Sequence, residues 1–185
     1  MRAFLLTVIL AISSITCAQD NPVVVMETNK GTITIELFVD KAPITVENFL
    51  RYTDNNFFDE LVFHRVINGF MIQGGGFSSE MVQKSTYDPI KNEARADVPN
   101  NRGTLAMART SVVDSATAQF FINLADNSNL NHTSETQQGF GYAVFGQVIE
   151  GMDVVDAIAV VPTGTVRSFG DVPNEPILIN SVRRR

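Results

Sequence analysis

The run from Phe63 to Gly76, FHRVINGFMIQGGG, constrains this chain more tightly than any other stretch. It is apolar enough for a buried sheet, yet it carries His64, Arg65 and Gln73. Side chains of an extended strand alternate between two faces, so Phe63, Arg65 and Ile67 are expected on one of them. A charge on an apolar face is costly unless it has partners. The triplet Gly74-Gly75-Gly76 then ends the run with backbone free to turn sharply. Arg65, Phe70, Met71 and Gln73 are read as one wall of a shallow apolar groove with a polar clamp.

The remaining pattern is that of a single mainly-β domain. Residues 23–28 and 32–38 alternate as strands around Asn29-Lys30-Gly31, which predicts an antiparallel hairpin. Pro43 opens a helix whose buried stripe is Val46, Phe49, Leu50 and Thr53, and Asp54-Asn55-Asn56 ends it. Residues 78–101 are polar and punctuated by Pro89 and Pro99, as in a long surface excursion. Strands are expected at 103–108, 119–123, 142–149 and 176–182, and a second short helix after Gly151. The loop 126–136 has room for a helical turn. With 185 residues and 44% hydrophobic content, the chain can bury one substantial core.

The formal charge of -6 argues against a nucleic-acid partner, which favours a basic face. The one basic run, Arg183-Arg184-Arg185, is expected to be a solvated tail. At the other end, Arg2, the apolar run 4–15 and the small residues Thr16-Cys17-Ala18 form the pattern of a secretory signal peptide. The expected division is a signal peptide at 1–18 and one domain at 19–185, working in the periplasm. The apolar run is too short for a stable membrane span. Lipid attachment at Cys17 is the alternative fate of that segment. Cleavage after Ala18 leaves a chain without cysteine.

Familiar reactive chemistries find no support. His64 and His132 are far apart and lack thiolate partners, so no metal site is expected. There is no Gly-x-Ser-x-Gly elbow, and no Lys-Ser or Lys-Thr follows the glycine triplet. His64 is read as a structural, hydrogen-bonded histidine. What remains is Arg65, Phe70, Met71, Gln73, Ala108, Arg109, Gln119, Phe120 and Phe121. Such a set can bind a peptide and stabilise a twisted form of it.

These residues carry a resemblance. Residues 63–75, with Leu105-Ala106-Met107-Ala108-Arg109, the block 115–122 and Val144-Phe145-Gly146, resemble the ordered motifs of cyclophilins, the peptidyl-prolyl cis-trans isomerases. The likeness spans about Val23 to Val182 and is nearest to the short bacterial periplasmic type. It implies a closed eight-stranded antiparallel barrel with a helix over each end. It implies that Arg65 is catalytic and that Phe70, Met71, Phe120, Phe121 and Leu130 line a proline pocket. Gln73 and Gln119 would contact the peptide or hold Arg65, and Ala108 with Arg109 would meet the residues before proline. Two positions depart from the family pattern: Asn129 stands where an aromatic, often Trp, is usual, and Tyr142 stands on the far rim where His is common. Weak cyclosporin binding follows. The expected partners are proline-containing peptides and exported proteins as they fold; no cofactor is implied, and a monomer is expected. The contrasting class is a chaperone-like module that uses the same groove without turnover.

Overall fold

The computed structural model describes residues 20–185. The expected signal peptide, its cleavage point and Cys17 lie outside the described residues. Two strands, β1 (Val23–Thr28) and β2 (Gly31–Leu37), form the expected antiparallel hairpin. Helix α1 (Pro43–Asp54) follows, with proline in its first turn where a missing N–H costs nothing. Its Ala42 N-cap offers no side-chain oxygen. Glu93 supplies one from the polar excursion, accepting hydrogen bonds from the Ile44 and Thr45 backbone N–H groups at 3.1 and 2.7 Å. A carboxylate there also suits the positive end of the helix dipole.

The chain then lays down β3 (Leu61–Val62), β4 (Arg65–Ile67), β5 (Met71–Gly74), β6 (Thr104–Met107) and β7 (Phe120–Asn123). A 3-10 turn (Ser128–Leu130), β8 (Val144–Glu150), α2 (Met152–Ala159), β9 (Thr163–Val166), β10 (Phe169–Pro173) and β11 (Leu178–Arg184) complete it. No helix among the described residues is long and apolar enough to cross a membrane.

Nine strands form one sheet in the order β3-β11-β1-β2-β8-β6-β7-β5-β4. This is a strongly curled half-barrel and not the closed eight-stranded barrel that the resemblance implied. The physical reason lies at Phe63 and His64, which link the two edge strands β3 and β4. The backbone N–H of Val62 donates to Phe77 and that of Phe63 to Ile177, so the ladder is broken where it would close. The outer edge of β4 is covered instead by β10, which pairs with β9 in a small separate hairpin. The sequence reading missed that hairpin, because its 163–166 segment is mostly exposed and lacks an apolar alternation.

The enclosed side of the sheet is packed with Met26, Ile33, Ile35, Leu105, Phe120, Ile122 and Phe145, closed by Phe49 of α1 and Val155 and Ile158 of α2. Phe49 meets the rings of Phe58, Phe145 and Phe120 at 5.0, 5.2 and 5.6 Å. Such contacts fix geometry as well as removing area from water. The basic C-terminal run is not a free tail. Arg183 and Arg184 extend β11 and make two-pronged ion pairs with Asp59 and Asp54, donating at 2.8 and 2.7 Å in their Nη1 and Nε contacts. Asp54 ends α1 and Asp59 lies in the turns that follow it, so the two pairs tie β11 to that corner.

Candidate active site

Strands β5 to β8 carry a second apolar cluster on the face away from the main core. Met71, Phe121, Ala106 and Val144 are buried there with Phe38 and Val98. Their chain neighbours Ile72, Phe120, Ile122, Leu105 and Phe145 belong to the main core. The period of two decides each assignment. Phe120 is therefore not a groove residue, contrary to the sequence expectation: it is fully buried against Phe49, Phe58 and Phe63. Phe121 alone supplies the aromatic floor from this pair.

Ile67, Phe70, Ala108, Leu130 and Tyr142 pack half-buried onto this cluster. They leave a groove of about 130 Å³. Arg65, Phe70, Met71 and Gln73 line one side, as expected, and Ala108, Arg109, Phe121, Leu130 and Tyr142 line the rest. Gln119 faces an adjoining polar hollow of about 400 Å³, shared with Gln73, Ala108 and Arg109 and bounded by Thr110, Ser115 and Thr117.

Arg65 opens β4, directly across from Gln73 of β5. The strand breaks just before it, so Phe63 turns into the main core while Ile67 joins the groove cluster. The three do not share a face. The cost expected for a charge buried on an apolar face does not arise either, since the Arg65 side chain is 44% exposed. Its ion-pair partner among the described residues is Asp171, whose Oδ2 lies 3.5 Å from Nε. Gln73 does not hold it: the Gln73 amide donates to Gln119 Oε1 at 2.9 Å. Glycine makes room for that pair. Gly75 sits at φ +79°, and a Cβ on Gly76 would lie 2.5 Å from Gln119 Cγ.

His64 points away from the groove and is buried, with its ring centroid 4.7 Å from that of Phe77. Its Nδ1 has no protein partner, so the expected hydrogen-bonded role is not found at that atom. Burial pushes its pKa down to about 4, leaving the ring neutral at pH 7.

The far wall is built by carbonyl capture. Arg109 donates from Nε to Gly141, from Nη1 to Thr110 and from Nη2 to Gln137, at 2.9, 3.0 and 3.1 Å. Its guanidinium lies 4.9 Å over the Tyr142 ring, and Tyr142 meets Phe121 edge-on at 5.7 Å. Arg109 thus holds a loop and presents a wall, with donors already engaged. Below Leu130, the buried asparagines Asn100, Asn123 and Asn127 form a network that reading by motif did not detect. Asn100 donates to the Leu130 carbonyl at 3.1 Å. Asn100 and Asn127, in loops, look like turn residues in a sequence; only the fold shows that they face inward.

The site therefore combines one arginine whose Nη groups have no hydrogen-bond partner among the described residues, an apolar floor, and rims held by side-chain-to-backbone hydrogen bonds. This can grip an uncharged ring and offer a hydrogen bond to an atom beside it. The sequence model described as cyclophilin type peptidyl-prolyl cis-trans isomerase/CLD matches residues 23–184. Peptidyl-prolyl cis-trans isomerase B of Escherichia coli is 57% identical over 159 residues, covering 86% of this chain and 97% of that protein. A peptidyl-prolyl cis-trans isomerase of Acinetobacter baylyi is 58% identical over 163 residues, covering 88% and 85%. In structure, the chain resembles a Cryptosporidium parvum cyclophilin solved in the presence of the dipeptide Ala-Pro, with a TM-score of 0.72 and 25% identity. That match covers 88% of this chain and 98% of the other. The chain belongs to the cyclophilin-type peptidyl-prolyl cis-trans isomerases, enzymes that interconvert the two forms of X–Pro peptide bonds.

Proposed function

We propose that Arg65 is the catalytic group and that Phe70, Met71, Phe121 and Leu130 form the seat for the proline ring. An X–Pro bond rotates slowly because amide resonance sets a barrier of about 18–20 kcal/mol. At the twisted transition state the proline nitrogen becomes pyramidal and recovers a lone pair. A guanidinium N–H then donates to that nitrogen, an interaction much weaker in the planar amide. This is differential binding of the transition state. The apolar floor keeps water from competing for the donor.

The observation that carries this reading is the position of Arg65: it lines the groove beside a floor made of Phe70, Met71 and Phe121, and its ion pair with Asp171 runs through Nε. Raising a rate near ~0.01 per second to hundreds per second requires roughly 6 kcal/mol. One charged hydrogen bond at a developing lone pair supplies about 2–4 kcal/mol. Holding the peptide twisted and dry supplies the rest. Arg65→Ala, assayed on a proline peptide by exchange spectroscopy, should lose about 100-fold or more in kcat/KM while remaining folded. A folded variant with the wild-type rate would sink the assignment.

The same reading places the enzyme in the periplasm, assisting exported proteins as they fold, and as a monomer. Its support is the charge, apolar run and small-residue end of segment 1–18. Mass spectrometry of the mature protein should find Gln19 as the first residue. A diacylglyceryl mass on Cys17 would instead establish a lipid anchor. Light scattering at micromolar concentration should return the mass of one chain.

A further inference from the structure

The residue that touches Arg65 comes from the small hairpin that the sequence reading missed. Asp171 sits at φ +59°, in the left-handed region that few residues other than glycine, asparagine and aspartate enter without strain. It lies within an irregularity of the β9–β10 pairing, between Phe169 opposite Val166 and Val172 opposite Gly164. Extra residues at such a bulge leave the ladder and are re-aimed, a device common beside active sites. Here the re-aimed side chain is a carboxylate, and its target is the Arg65 Nε at 3.5 Å.

The hairpin is anchored to the segment that carries Arg65. Val172 and Pro173 are buried, and β10 packs along the outer edge of β4. The Phe169 ring meets Phe77 at 5.2 Å, and Phe77 in turn packs at a tilt against His64, the residue before Arg65. The carboxylate is thereby held in a fixed relation to the base of the arginine side chain.

We propose that Asp171 is a positioning residue for isomerisation: it holds the Arg65 guanidinium through Nε and so aims the two Nη groups into the groove. This rests on the catalytic reading of Arg65. An arginine is a planar fork, and fixing one edge fixes the direction of the others. The pair is nearly half exposed at both ends, so it contributes little to folding stability. Its effect is on direction. Its second effect is on substrate choice, because a carboxylate at the groove edge disfavours peptides with an acidic residue beside the proline.

Two variants separate the side chain from the backbone. Asp171→Asn keeps the shape and removes the charge; Asp171→Gly removes the side chain at a backbone angle where glycine is at ease. Both should lower kcat by about twofold to fivefold with KM within about twofold, at unchanged or raised thermal midpoint. Both should also raise the kcat/KM ratio for acidic over neutral flanking residues. Placed on Arg65→Ala, neither should cause a further loss. Wild-type kcat in both variants overturns the proposal, as does an equal loss on the Arg65→Ala background. A wild-type rate for Arg65→Ala alone is a separate outcome, and it removes the earlier reading of Arg65 as well.

Discussion

Asn127 donates its side-chain amide to the backbone carbonyl of Phe70 at 2.8 Å, tying the loop after β7 to the wall of the groove. The same amide group reaches Asn123 Oδ1 at 2.7 Å. The Asn123 acceptor is buried, where a lost donor is not replaced cheaply.

Asn127→Ala should therefore cost about 1–3 kcal/mol in stability, measured by urea denaturation. It should also raise KM more than it lowers kcat, since Phe70 keeps only its backbone tie to Leu124 while Arg65 is untouched. An unchanged KM with reduced stability would mean that the network supports the fold alone.

Phe120 and Phe121 should part company on substitution. Phe120→Ala opens a cavity among Phe49, Phe58 and Phe63 and should cost about 3–5 kcal/mol, with KM of the folded fraction near wild type. Phe121→Ala should raise KM by roughly tenfold, about 1.4 kcal/mol of lost contact with the proline ring. Titrating a proline peptide into each variant, after its denaturation curve is known, checks both.

Most of the elements were legible because the chain signals them locally. The hairpin of β1 and β2, the start of α1 at Pro43 and the groove wall of Phe70, Met71 and Gln73 all follow from spacing and turn chemistry within a few residues. What could not be read depends on contacts distant in sequence. Choosing between Phe120 and Phe121 requires knowing which face of β7 is enclosed, and an apolar run without alternation does not say. Asp171 joins the site through a bulge in a polar segment 106 positions beyond Arg65 by the chain numbering. The basic run at 183–185 looks like a tail until strand pairing with β1 shows its acidic partners.

Acid should weaken the fold through His64. Its folded pKa of about 4 lies below the ordinary 6.5, so the unfolded chain binds the proton first as pH falls. Stability from this group is complete above about pH 6.5 and is lost between there and pH 4, by at most about 3 kcal/mol. His64→Phe removes the titration and should flatten the denaturation midpoint between pH 7 and pH 4.5. An equally steep decline in the variant would assign the acid sensitivity elsewhere.

Cyclosporin should bind weakly, and position 129 should control it. Asn129 is exposed on the 3-10 turn next to Leu130, where a large ring would extend the groove wall. Asn129→Trp should tighten the inhibition constant by about tenfold or more while changing peptide turnover little. Tight inhibition of the wild-type chain would remove the argument.

Removing the ion pairs of the last strand should have a small effect. Salt-bridged Asp54 and Asp59 both titrate below the usual carboxylate range, through their hydrogen bonds with Arg184 and Arg183. Arg183→Gln with Arg184→Gln should nevertheless cost only about 1 kcal/mol or less, because these pairs are largely exposed. Comparing midpoints at low and high salt should shrink the difference further.

The position of β11 has a temporal consequence. It lies between β1 and β3, so residues 178–184 are inserted between two strands made well before them. Without residues 178–184, β1 and β3 have no common neighbour. Val24 pairs with Arg184 across 160 positions of the sequence. Closing so large a loop is slow and comes late. The β3 edge of the sheet therefore waits on a long-range pairing, whereas the groove strands β5 to β8 pair with one another over much shorter separations.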